Sequence, residues 1–289
     1  MSYRRLEREK LSGVLVYNPS INGLDLTMNL EALFKLHCDI PREGPGSDEA
    51  TREAIRRLQA WERSQISQIS QISQILDLGC GPGKQTLVLA KELQAPIAAV
   101  DFHEPYLLRL QQAAAEQGLD RFITTRLENM ESLTDPEGSI DLIWAEGSIY
   151  LVGFANGLKL WRPLLRDRGF VVASEVTWLT DRPPTEVRDF WQTEYPAMTN
   201  IKGNIKLALF AGYEVLDNFI LPRSAWWDEY YTPLAKRVQQ LRPQANETPG
   251  LVEILDEAER EIEICDRFGD AFSYVFYLMR RTPIESAAE

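Results

Sequence analysis

The residues best placed to do chemistry lie in one run, Asp77-Leu78-Gly79-Cys80-Gly81-Pro82-Gly83. The apolar residues Ile75 and Leu76 lead into it as a buried strand, and Lys84-Gln85-Thr86-Leu87 reads as the start of a helix. Glycine has no Cβ, so such a turn lets a ligand lie against bare backbone at a helix N-terminus. Spacing separates this loop from two others. A dinucleotide fingerprint, G-x-G-x-x-G, needs a glycine at position 84, which is Lys84. A phosphate loop, G-x-x-x-x-G-K-[ST], needs a glycine at position 78 and a hydroxyl at 85, where Leu78 and Gln85 stand.

A second group follows at the distance a nucleoside requires. Pro96-Ile97-Ala98-Ala99-Val100 reads as a short buried strand ending in Asp101. An acid about 20 residues past a glycine loop suits a grip on ribose hydroxyls. Phe102 comes next and is placed to face an adenine. Asp101 also suits a helix cap, because a helix begins near Glu104-Pro105 and proline is favoured in a first turn. Loop and acid together point to a cofactor containing a nucleoside.

These groups need a scaffold, and the chain alternates strand and helix as far as Glu175. Further strands are predicted at Phe122 to Arg126, Ile140 to Ala145 and Gly169 to Glu175, with helices over 85–94, 104–117 and 156–165. Apolar strands alternating with helices argue for a parallel, doubly wound sheet, with its ligand beyond the carboxyl ends of the strands. Asp77, Asp101, Asn129, Glu146 and Glu175 fall at or just past those ends. From Thr180 the rhythm changes. Pro183-Pro184 breaks the chain, and helices follow over 185–195 and 201–211. Then come a strand over 213–221, helices over 226–241 and 249–266, and a last strand over 271–280. Upstream, the turn 42–47 leads to a helix with Ser47 as N-cap, Asp48 and Glu49 in its first turn, and Ile55, Leu58 and Trp61 on one face. Ser-Gln-Ile repeats four times from Ser64 to Ile75. That period fits neither helix nor strand, so the tract reads as a lengthened surface connection whose last Ile joins the first strand.

The form Asp-x-Gly-x-Gly-x-Gly resembles the cofactor loop of class I S-adenosylmethionine (SAM) methyltransferases. Glu128-Asn129-Met130-Glu131-Ser132-Leu133 resembles the segment of that family that contacts adenine, with Asn129 where many relatives have Asp. Asp141-Leu142-Ile143-Trp144-Ala145-Glu146-Gly147-Ser148-Ile149-Tyr150 and Gly153-Phe154 resemble a bacterial subgroup, as do Gly44-Pro45-Gly46-Ser47, Ser174-Glu175-Val176-Thr177-Trp178 and Tyr230-Tyr231-Thr232-Pro233. The resemblance covers about residues 25–280. It implies an α/β fold: a doubly wound, mostly parallel, seven-stranded Rossmann-like sheet with a helical cover, its last two strands an antiparallel pair. It implies a methyltransferase domain over 48–289, a helical cover segment over 1–47, and a helical insertion over 180–212 above the acceptor site. It implies SAM held by Asp77, Gly79, Cys80, Gly81, Asp101, Phe102, Asn129, Met130 and Glu146.

In methyl transfer the cofactor supplies the reactive carbon and the protein mainly positions the acceptor, so no fixed catalytic motif is expected. The catalytic candidates are Glu146, Tyr150 and His37. Glu146 ends the fourth strand and also suits a loop-anchoring carboxylate, and His103 belongs to the ribose side. Trp178, Trp226, Trp227, Tyr230 and Tyr231 read either as core or as the lining of an acceptor pocket. The alternatives are a SAM-binding sensor or partner subunit without methyl transfer, and a nucleotide-dependent oxidoreductase, which the missing third glycine disfavours. At 289 residues the chain suits one large domain or a domain with a cap. Its net charge of -12 opposes nonspecific nucleic-acid binding, which needs a basic footprint. Cys38, Cys80 and Cys265 are too scattered for a disulfide framework or a metal cluster, so no metal is expected. There is no apolar signal region and no run long enough to span a bilayer. The expectation is a cytoplasmic enzyme with a small-molecule acceptor and no nucleic-acid or membrane partner. The oligomeric state is not legible.

Overall fold

The computed structural model describes residues 31–38, 40–64 and 72–283. Seven strands form one sheet: β1 (Ile75–Leu78), β2 (Ile97–Asp101), β3 (Ile123–Leu127), β4 (Ile140–Ala145), β5 (Leu165–Trp178), β6 (Tyr213–Ile220) and β7 (Phe272–Arg281). Their order is β3-β2-β1-β4-β5-β7-β6. Neighbours from β3 to β5 pair in parallel, while β7 pairs antiparallel with both β5 and β6. The winding reverses between β1 and β4, which opens a crevice at their carboxyl ends. Every residue of β1 and β4 is buried, as expected of central strands covered on both faces.

The helices are α1 (31–37), α2 (Asp48–Ser64), α3 (Lys84–Leu93), α4 (Glu104–Glu116), α5 (Phe154–Trp161), α6 (Thr185–Glu194), α7 (Ile201–Phe210), α8 (Arg223–Trp226), α9 (Thr232–Leu241) and α10 (Leu251–Phe268). A π-helical turn, Trp227–Tyr231, joins α8 to α9. Successive strand residues serve opposite layers, because side chains alternate across a sheet. Ile75, Leu142 and Trp144 join an apolar cluster with Leu33 and Leu36 of α1, Leu58 of α2 and Leu255 of α10. Leu76, Ile143 and Ala145 join a second cluster with Leu158 and Trp161 of α5 and Ala208 of α7.

Local expectations meet the structure at several points. Ser47 caps α2, its Oγ accepting the Ala50 N–H at 3.1 Å. The last Ile of the Ser-Gln-Ile tract opens β1, and the backbone N–H groups of Ser73 and Gln74 both donate to Asp141 Oδ2 at 2.9 Å. Residues 65–71 of that tract and residues 1–30 of the expected cover lie outside the described residues. One expectation shifts. The fifth strand is longer than predicted at both ends, because β4 pairs with its start at Leu165 and β7 pairs with it from Phe170 to Trp178. The 180–212 stretch, expected above an acceptor site, supplies α6 and α7, and α7 packs against α5 and β6.

Gly83 ends the loop with φ at +85°. A Cβ there would sit 2.2 Å from Cδ1 of the buried Leu110 and 2.8 Å from its Cγ. Gly83→Ala should therefore destabilise the fold by about 2 kcal/mol, combining left-handed strain with overpacking. Urea denaturation checks this, and Leu110→Ala in the same chain should cost less than the two single changes added together.

Candidate functional site

The glycine loop is set by the end of β2. The N–H groups of Gly79 and Cys80 both donate to Val100 O, at 2.9 and 3.0 Å. The Gly81 N–H donates to Asp101 Oδ2 at 2.9 Å, and the His103 N–H donates to Oδ1 at 2.9 Å. Asp101 thus fastens the loop and opens the next helix at once. Gly79, at φ +67°, has no room for a side chain, since a Cβ would lie 2.5 Å from the Ser148 Cβ. Gly81, at φ +53°, is more open, with Glu43 Cγ the nearest atom at 3.4 Å.

A cavity of about 410 Å³ lies over this loop at the β1–β4 crevice. Gly79, Cys80, Gly81, Asp101, Phe102, Asn129, Met130 and Glu146 all line it, so eight of the nine residues named for a cofactor converge there. The ninth, Asp77, does not line it. Its Oδ2 accepts from Thr86 Oγ1 at 2.6 Å and Gln85 Nε2 at 3.5 Å, which ties β1 to α3 behind the loop. Burial pushes the Asp77 carboxyl up to about 7. Burial also pushes the Cys80 thiol up, so it presents no thiolate to the cavity.

Of the three catalytic candidates, only Glu146 reaches the cavity. Its carboxylate accepts from Thr51 Oγ1 at 2.9 Å, Trp144 Nε1 at 3.1 Å and Arg42 Nη1 at 3.4 Å. Burial raises its affinity for a proton, while Arg42, Thr51 and Trp144 oppose that shift. Tyr150 is buried edge-on against Tyr195, and His37 is buried with Nδ1 3.0 Å from Glu43 Oε2. Neither lines this cavity. Trp178, Trp226, Trp227, Tyr230 and Tyr231 pack in or against the core instead, and no residue of 180–212 lines the cavity.

The strap Arg42-Glu43-Gly44-Pro45, within the cover segment expected over 1–47, lines the cavity, and sequence reasoning named neither Arg42 nor Glu43 as a site residue. Arg42 is buried and reaches Asp48 at 2.8 Å and Glu229 at 2.8 Å as well as Glu146. The Gly-Pro-Gly-Ser turn that follows was the only sequence signal at this place. Glu128, Glu131, Gly147, Ser148, Leu151 and Val152 complete the wall. Beyond it, Glu175 is buried with Oε2 lacking a partner among the described residues, and burial pushes its carboxyl up to about 8. Among the described residues there is no group of three or more His, Cys, Asp or Glu that would hold a metal ion. No helix among them is long and apolar enough to cross a membrane.

A family model described as a methyltransferase domain matches residues 75–169. The fold is that of solved SAM-dependent methyltransferases. The matched residues run from β1 into β5 and supply every wall of the cavity except the strap. Demethylmenaquinone methyltransferase of Lactiplantibacillus plantarum is 38% identical over 71 residues, which is 24% of this chain and 30% of that protein. A SAM-dependent methyltransferase from Geobacter sulfurreducens, solved with S-adenosyl-L-homocysteine, shares the fold at 15% identity. It aligns over 86% of this chain and 97% of its own, with a TM-score of 0.70. The [4+2]-cyclase SpnF also shares the fold at 16% identity, over 94% of this chain and 99% of its own, with a TM-score of 0.68.

Two measurements test the electrostatics of this fold. Asp77, Asp101, Glu175 and Glu261 are raised by burial to about 7, 6, 8 and 7. The folded chain thus retains protons that unfolded carboxyls release near pH 4. The stability that these four carboxyls contribute should be fully present below about pH 4 and be lost progressively as pH rises toward 8. Urea midpoints across that range check the sign, and Glu175→Gln should flatten the upper part of the slope. Arg42→Met should cost about 3 kcal/mol, because it strands the buried Glu146 carboxylate. Amide hydrogen exchange in Gly44 to Ser47 should speed up in that variant more than exchange in β1.

Proposed function

We propose that this protein transfers the methyl group of SAM to a small-molecule acceptor. The observation that carries the reading is the convergence of the glycine loop, Asp101, Asn129 and Glu146 on one cavity at the switch point of the sheet. The residues fit the cofactor. Gly81 leaves room beside the loop, Asp101 offers a carboxylate for ribose hydroxyls, and the partly exposed Phe102 ring and Met130 offer apolar surface for adenine. Asn129 spends its Oδ1 on the Glu131 N–H at 2.8 Å, which leaves its amide N–H groups for the ligand. The wall carries Glu43, Asp101, Glu128, Glu131 and Glu146 against Arg42 and Lys84, a balance that favours a cationic ligand. A volume of about 410 Å³ is that of a small-molecule site.

When bound, SAM would supply an electrophilic methyl carbon for the acceptor, with S-adenosylhomocysteine as the leaving group. The chain's part is to orient and to exclude water. Glu146 holds the strap through Arg42 and keeps a negative wall toward the sulfonium side. Three donors already occupy its carboxylate, so it serves better as a fixed charge than as a base. We read residues 40–47 as the cover of the site. The acidic chain supports a small-molecule acceptor over a nucleic acid, and three scattered cysteines suit a cytoplasmic location. A second reading keeps SAM binding without methyl transfer. The cyclase of the same fold favours keeping it, since that fold is not confined to proteins named for methyl transfer.

Calorimetry should find micromolar-scale binding of SAM and S-adenosylhomocysteine. Gly81→Val should abolish it, and Asp101→Ala should weaken it by roughly 1.5–3 kcal/mol. Isotopically methyl-labelled SAM should then label a component of a metabolite extract. Binding without label transfer to any acceptor would favour the second reading, and label only in RNA, DNA or protein would overturn the small-molecule acceptor.

A further inference from the structure

Glu43 stands apart from the other acids of the cavity. It belongs to the strap, outside the residues that match the methyltransferase domain. One of its oxygens is fully committed: Oε2 accepts the Tyr106 hydroxyl at 2.6 Å and lies 3.0 Å from His37 Nδ1. Burial beside Glu43 pushes the Tyr106 phenol up, which keeps it a donor. The other oxygen, Oε1, is buried and has no hydrogen-bond partner among the described residues. A buried acceptor left unpaired is costly, and such groups in folded proteins call for a specific partner. His37 and Tyr106 hold the carboxylate in one orientation, so the free oxygen is preorganised.

Its place identifies the partner. Glu43 lines the cavity, and its Cγ lies 3.4 Å from where a Gly81 Cβ would be. The N–H of that same glycine donates to Asp101 Oδ2. Two carboxylates therefore flank Gly81, one from the end of β2 and one from the strap. The charge of Glu43 is among the causes that raise the Asp101 carboxyl, which agrees with their closeness. A ligand that presents two adjacent hydroxyls would satisfy both acids.

We propose that Glu43 is a ligand-contacting residue whose Oε1 accepts a ribose hydroxyl of the cofactor, so that the nucleoside is gripped by Asp101 and Glu43 across Gly81. This rests on the SAM reading above. It makes the strap a reader of the nucleoside half of the ligand, and it gives His37 and Tyr106 a positioning role.

The test uses 5′-methylthioadenosine, which keeps the ribose and lacks the amino-acid end, together with its 2′-deoxy and 3′-deoxy forms. Glu43→Leu should weaken methylthioadenosine roughly 10- to 100-fold, as for a lost hydrogen bond to a charged group. Glu43→Gln, which keeps an amide oxygen, should recover most of that. Tyr106→Phe, which removes a strap contact and leaves Oε1 alone, should weaken binding far less. At least one deoxy form should bind wild type more weakly than the parent, and that penalty should vanish in Glu43→Leu, a coupling that a merely structural role would not produce. Deoxy penalties unchanged in Glu43→Leu would overturn the proposal. So would a loss seen for SAM and absent for methylthioadenosine, which would assign Oε1 to the ammonium. If wild type binds neither SAM, S-adenosylhomocysteine nor methylthioadenosine, the underlying SAM reading fails and this proposal with it.

Discussion

The Glu146 carboxylate joins three separate parts of the chain at the open end of the sheet. Trp144 brings β4 to it, Thr51 brings the first turn of α2, and Arg42 brings the strap. A buried carboxylate is tolerated only when such donors surround it. The requirement acts in both directions. Without Arg42 the carboxylate would be stranded, and without the carboxylate the strap would lose its hold on the sheet. Arg42 and Glu146 both line the cavity, so this pairing ties the strap to the wall that β4 supplies.

A second constraint works beside it. The carboxyl ends of β1, β2 and β4 deliver Asp77, Asp101 and Glu146 close together, β5 carries Glu175, and burial raises the proton affinity of all four. Each is handled differently. Asp77 is braced by α3, Asp101 by backbone N–H groups and Glu146 by the strap, while Asp77 and Glu175 each keep an oxygen without a partner among the described residues. The accumulated negative potential is a standing cost to the empty fold. A cationic ligand in the cavity would offset part of it, which links the stability of the domain to its occupancy.

Much of this was legible in the residues. The glycine loop, the acid at the end of β2 and the alternation of strand and helix are local patterns, and each appears in the structure close to where it was expected. Side-chain placement was less legible. Tyr150 and His37 were named for their neighbourhoods in the chain, and both turn into packed surroundings rather than the cavity. The aromatic residues around the π-helical turn do the same. The helices of 180–212 sit outside the first strand-helix rhythm, yet α7 covers the sheet because α5 and β6 offer it an apolar surface.

The sequence by itself determined the α/β winding, the loop and the residue types at the strand ends. These depend on backbone conformations that only glycine adopts easily and on hydrophobic periods of a few residues. Only the tertiary structure decided which strand-end acids face a ligand. Asp77 and Asp101 both sit at or near strand ends, and their roles diverge because Thr86 occupies the first while Gly81 leaves the second beside open space. Only the tertiary structure brought in Arg42 and Glu43, since Arg42 and Glu146 stand 104 residues apart. No local pattern encodes that meeting; it follows from how α1 and α2 pack on the sheet and carry the turn between them across its open end.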